Sequence, residues 1–199
     1  MRSLLILLAL LSSPAVTQAG ESPREFARRF YAAHQTWTIR GVPTDRDESV
    51  VSPLMGIEII RAFRRVNEHR ELEGKLRDPE DPSKPRWQTV KPRWCIEGQV
   101  FCDNWEGITH YSVGKARIDK GRWIVEAHLE YIEGGKSYPW TDILVLDRAG
   151  ENWVVGDIRY GQGGTLLTRI LEELVEADKD IPKTPLKRNP NQGESGPRE

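Results

Sequence analysis

An excess of charge of either sign is missing from this chain: 29 Lys and Arg stand against 30 Asp and Glu, for a formal net charge of −1. Without a basic field it lacks the footprint by which nucleic acids and anionic membranes are bound, so neither is expected as a partner. Thiols are scarce, and the two present, Cys95 and Cys102, are seven residues apart. A metal site drawn from them with Asp103 and His110 fits no familiar zinc spacing. The four histidines, at 34, 69, 110 and 128, are too dispersed to give a helical His-x-x-x-His pair, and no metal or cofactor is expected. No Gly-x-Ser-x-Gly nucleophile elbow occurs, so no catalytic residue is assigned. Long apolar runs are absent too. The longest, Leu4 to Leu11, falls short of the roughly 20 residues a membrane span needs and is followed by Ser12-Ser13-Pro14.

What that run does match is an export signal. Arg2 precedes it, and small residues at Thr17 and Ala19 place a cleavage site after Ala19. The expectation is a signal peptide over 1–19 and an exported protein, periplasmic or secreted, with no membrane anchor after cleavage. Loss of Arg2 makes the remainder one unit more negative. About 180 residues then suffice for one domain with a tail. In an oxidising compartment Cys95 and Cys102 are expected to pair, because Gly98 between them lets the chain turn; free thiols are the alternative.

The body of the chain opens on a capping box, Ser22-Pro23-Arg24-Glu25, with Phe26, Phe30, Ala33 and Trp37 at helical spacing behind it. This predicts a helix of about 14 residues ending before Gly41-Val42-Pro43. A second start at Ser52-Pro53, with Leu54, Ile57, Ile60 and Phe63 on one face, predicts a second helix to about Arg70. Residues 71–94 carry Pro79, Pro82, Pro85 and Pro92 and are read as a proline-rich loop. It contains a repeat, Lys84-Pro85-Arg86-Trp87 and Lys91-Pro92-Arg93-Trp94. Arg86, Trp87, Arg93 and Trp94 form either a basic-aromatic ladder for an acidic or sugar partner, or an ordered loop whose rings plug the core edge.

From Ile108 the apolar period drops to two. Turn signals at Asp119-Lys120-Gly121, Glu133-Gly134-Gly135-Lys136 and Arg148-Ala149-Gly150-Glu151-Asn152 separate strands at about 108–118, 122–132, 138–147 and 152–160. Along 122–132, Trp123, Val125, Ala127, Leu129 and Tyr131 form one face, and the other is largely polar, which indicates an antiparallel sheet. Gly161 to Thr165 reads as a strand-to-helix turn. A last helix follows, with Leu166, Leu167, Ile170, Leu171 and Leu174 as its stripe. The domain is thus expected over 20–176 and a disordered tail over 177–199, where prolines and charges dominate. The fold class is α+β: two N-terminal helices packed on a curved antiparallel sheet of about four strands, closed by a C-terminal helix.

This arrangement, with Phe26-Ala27-Arg28-Arg29-Phe30-Tyr31, Val51-Ser52-Pro53-Leu54-Met55 and Asn152-Trp153-Val154-Val155-Gly156-Asp157-Ile158-Arg159-Tyr160, resembles the nuclear transport factor 2-like cone fold. Within it the likeness is to a secreted bacterial branch catalogued as domain of unknown function 3828. The resemblance implies a sheet wrapped on helices with a pocket at its open end, and no agreed activity. Some relatives look like periplasmic immunity proteins. Candidate pocket residues are His110, Tyr131, Trp140, Asp142 and Asp157. Asp142 alternates with Trp140, Leu144 and Leu146, so it is a carboxylate with a raised pKa on an apolar face, or it sits at the wet rim near the strand's start, or it accepts hydrogen bonds from a neighbour. Asp157 is expected to pair with a base or cap an amide.

Three functions are therefore compatible with the sequence. The first is a non-enzymatic small-ligand-binding module, which requires Tyr131, Trp140 and Asp142 to converge. The second is an immunity or inhibitor protein that binds a protein partner. The third is an isomerase- or hydrolase-like enzyme using a pocket carboxylate.

Overall fold

The computed structural model describes residues 20–76, 78, 80–85 and 98–180, the last five by backbone alone. The expected signal peptide, Cys95, the Arg86/Trp87/Arg93/Trp94 ladder and the segment 181–199 lie outside the described residues.

Helix α1 spans Pro23–Thr36. Its start is the expected capping box: the Glu25 amide donates to Ser22 Oγ at 3.3 Å, and the Ser22 amide donates to Glu25 Oε2 at 2.8 Å. The buried stripe is broader than the sequence reading, taking in Tyr31 and His34 beside Phe26, Ala27 and Phe30. The second helical region departs from expectation. A single helix from Ser52 to about Arg70 is replaced by a short α2 (Glu48–Val51), a 3₁₀ turn (Ser52–Leu54) and a longer α3 (Ile57–Lys75). The break at Met55–Gly56 has a tertiary cause. Met55 bridges Val155 in parallel, and the Gly56 amide donates to the Val155 carbonyl at 2.7 Å. A Cβ on Gly56 would stand 3.1 Å from that carbonyl oxygen, so the close approach uses the glycine.

The sheet is a four-stranded antiparallel meander in the order β1 (His110–Asp119), β2 (Arg122–Glu133), β3 (Lys136–Ala149), β4 (Asn152–Arg159). Tight turns at Lys120–Gly121 and Gly134–Gly135 have positive φ at both central residues, which suits two-residue hairpins. Register shifts between Val113 and Ala116 and between Val145 and Leu146 add local twist and bend. Pro139 is tolerated in β3 because β4 pairs with that strand only from Ile143 onward, leaving β3 an edge there.

One face of the sheet presents Val125, Ala127, Leu129, Leu144, Leu146, Val155 and Ile158 to a common core. Phe26 and Phe30 of α1, Ile59 and Phe63 of α3, and Leu166, Ile170 and Leu174 of α4 (Leu166–Asp180) share it. The opposite face is drier than expected. Ile124 and Val145, partners in register, are both buried, between the ion pairs Arg117–Glu126 and Arg122–Asp147, each at 2.7 Å. Gly156 lies beneath the second pair: a Cβ there would come within 2.0 Å of Asp147 Oδ2. Helix α4 continues to Asp180, so the first residues assigned to the tail, 177–180, are helical.

Candidate functional site

The β2–β3 hairpin runs past the packed core. From Ile132 to Pro139 every residue is exposed. Its core-side face carries Tyr131, Tyr138 and Trp140, because Tyr131 pairs with Tyr138 and Leu129 with Trp140 across the ladder. These three rings, with Asp103, Asn104, Glu133 and Gln162, line a cavity of about 590 Å³. That volume lies within the range of ordinary small-molecule sites.

Asp142 lies beneath Trp140 and is not itself a lining residue. It is fully buried, one ladder step below Trp140 on the same face. Oδ2 accepts the Trp140 indole N–H at 3.2 Å and the Asp103 amide at 3.0 Å, and Oδ1 accepts the Gly161 amide at 3.0 Å. Three separate elements are thereby tied to one carboxylate: strand β3, the loop before β1 and the turn after β4. A further tie joins the last two, since the Gln162 amide donates to Asp103 Oδ2 at 2.7 Å. Gly161 is required here, because a Cβ would lie 2.6 Å from the Thr141 carbonyl oxygen. Burial pushes the Asp142 pKa up to about 6, while its three N–H donors act in the opposite direction and the Asp103 charge adds to the rise.

Behind Asp142 the interior holds several buried polar side chains. The Tyr31 hydroxyl is buried with no hydrogen-bond partner among the described residues, and burial raises its pKa well above the usual tyrosine value. The Tyr160 hydroxyl donates to the Val100 carbonyl at 2.6 Å. The Cys102 thiol is buried, contacts the Asn104 carbonyl oxygen at 3.4 Å and is pushed up to about 12 by burial. His34 is pushed down to about 4 by burial, with Nε2 3.3 Å from Gln99 Oε1. Among the described residues Cys102 is a free thiol, and its expected partner Cys95 is outside them.

The five residues marked in the sequence divide cleanly. Tyr131 and Trp140 line one cavity; Asp142 is not among its lining residues and meets it only through its bond to the Trp140 indole. His110 does not join them. It pairs with Glu130, on the opposite face from Tyr131, and its ring is exposed. Asp157 does not join them either. Its Oδ1 accepts the Ile158 amide at 2.8 Å and the Leu167 amide at 3.1 Å, capping the start of α4. The amide-capping expectation for Asp157 therefore fits, and its pocket role does not.

Seven of the nine lining residues are not marked as pocket residues by the sequence. Tyr138 was legible: a two-residue turn at Gly134–Gly135 places it directly opposite Tyr131. Glu133 follows from the same register. Asp103 and Gln162 reach the site only through tertiary folding, and nothing local marks them.

Among the described residues no group of three His, Cys, Asp or Glu side chains is placed to hold a metal ion. Among the same residues no helix is long and apolar enough to cross a membrane. No family model, no curated protein and no solved structure matches this chain.

Proposed function

We propose that this chain is an exported, non-enzymatic small-ligand-binding module whose site is the aromatic pocket at the open end of the β2–β3 hairpin. The observation that carries the reading is the convergence of Tyr131 and Trp140, from adjacent strands, on one cavity with the Trp140 indole fixed by Asp142. A ring held in place before a ligand arrives loses little freedom on binding. The finer description of the fold, two helices packed on a curved sheet and closed by a last helix in the manner of the nuclear transport factor 2-like cone, belongs to the same proposal. So does the likeness to its secreted bacterial branch.

This reading gives Asp142 a positioning role. Both of its oxygens are engaged by N–H donors and it has no exposed surface, an arrangement that favours holding walls together over exchanging protons with a substrate. Native mass spectrometry of protein recovered from its host's extracytoplasmic fraction tests the proposal. The expected spectrum shows a reproducible non-covalent excess of small-molecule size, lost on denaturation, on a chain that begins at Gly20. A chain retaining residues 1–19 would overturn the export part. A bare native mass in every preparation would overturn the ligand part.

A further inference from the structure

Resting on that pocket reading, we infer that the ligand is an organic cation, an alkylammonium group held among Tyr131, Tyr138 and Trp140. Three features of the cavity converge on this class. First, the three rings are separate. No ring contact joins any two of them, although such contacts are frequent among the aromatic side chains of the core, so their faces are not consumed by one another. Aromatic faces attract cations, tryptophan most strongly, and several rings around one cavity suit an ammonium group carrying alkyl substituents.

Second, the charged side chains in the lining are both acidic, Asp103 and Glu133, and no Lys, Arg or His is among the lining residues. Glu133 is in no ion pair among the described residues. Lys136 stands opposite Glu133 in the ladder, and Arg40 and Glu106 act on Tyr131 from outside the lining, offsetting each other in sign. An anionic ligand would meet two carboxylates with no compensating cation in the wall. A neutral ligand would leave the Glu133 charge unanswered.

Third, Trp140 is arranged to favour positive charge at its face. Its N–H donates to a buried carboxylate, and a donor hydrogen-bonded to an anion leaves the ring richer in electron density. The same bond fixes the ring's orientation, so the face is presented without rearrangement.

The test uses three probes of similar size on the full mature chain, followed through the Trp140 indole N–H by ¹H–¹⁵N NMR. Choline is the cation. 3,3-Dimethylbutan-1-ol has choline's shape with carbon in place of nitrogen and no charge. Methyl glucoside is a neutral sugar. Choline is expected to give a saturable shift at Trp140, with the neutral isostere bound at least about tenfold more weakly. Tyr138→Ala and Glu133→Gln, at exposed positions that leave the fold intact, are expected to weaken choline by about fivefold and about threefold. Equal affinity for choline and its isostere, or a saturable shift with the glucoside alone, would overturn the cation inference and leave the pocket in place. No saturable shift with choline at millimolar concentration would also overturn it. If native protein in addition carries no small molecule, the pocket reading falls with it.

Discussion

The two ends of the β2–β3 hairpin share one alternation and put it to different uses. At the covered end, Val125 pairs with Leu144, both fully buried against the helices. At the open end, Tyr131 pairs with Tyr138 on the same face, and Tyr138 is 46% exposed. A period-two pattern therefore specifies which side chains share a face, and it is silent about what covers that face. The chemistry of the residues carries the remainder: branched aliphatic side chains where helices pack, amphipathic rings where no described residue covers the face. Asp142 sits at the boundary, where one carboxylate joins the covered core to the open pocket.

Truncating one residue at each end separates the two most strongly. Leu144→Ala removes a fully buried side chain and is expected to cost about 2–5 kcal/mol in chemical denaturation. Tyr138→Ala, with the same alternation and half its surface in water, should cost about 0.5 kcal/mol or less. Similar losses at the two ends would mean that the open end is part of the folding core.

Two buried titrating groups sharpen the same boundary, because they act on stability with opposite sign. Asp142 has its pKa raised from 3.8 to about 6, so the folded state holds a proton the unfolded state has released. Its contribution is therefore favourable at low pH and is lost as pH rises through about 4 to 6, by about 3 kcal/mol in total. His34 has its pKa lowered from 6.5 to about 4, so the unfolded state binds the extra proton. Its contribution is favourable above pH 6.5 and is lost as pH falls toward 4, by a similar amount. Measured as variant minus parent, Asp142→Asn is expected to become relatively more stable with rising pH across that window. His34→Gln should become relatively less stable. Parallel slopes for the two variants would contradict this assignment.

A smaller effect is expected at Gly161. The Cβ of Gly161→Ala meets the Thr141 carbonyl oxygen, so the turn must move and its amide must leave Asp142. The expected cost is about 1–2 kcal/mol, with weaker ligand retention, read by denaturation and native mass together. The smallest effect belongs to His110→Ala, which changes an exposed side chain on the opposite face and should alter stability by less than about 0.5 kcal/mol.

Much of this architecture was legible locally. The Ser22–Glu25 capping box, the three turn signals and the alternation of 122–132 each express a short-range rule, and the α+β class with a four-stranded antiparallel sheet follows from them. What was not legible depended on contacts between distant segments. The break at Met55–Gly56 arises from pairing with Val155, about a hundred residues away, and no property of the local sequence reports it. The burial of Ile124 depends on Val145 and on ion pairs assembled from three strands. Beneath the site, the apolar alternation around Asp142 was legible, but its three donors come from parts of the chain that only the fold brings together. His110 was misplaced because the alternation of β1 had not been tied to that of β2, and the register settles which face it occupies.

The open end of the hairpin as a binding site is tested most directly by native mass spectrometry of parent, Trp140→Ala and His110→Ala proteins recovered in parallel from the same host. Trp140 and His110 lie near the same end of the sheet on opposite faces. The account predicts a small-molecule mass excess on the parent and on His110→Ala, and a bare chain for Trp140→Ala. An excess retained in full by Trp140→Ala, or lost by His110→Ala alone, would contradict it.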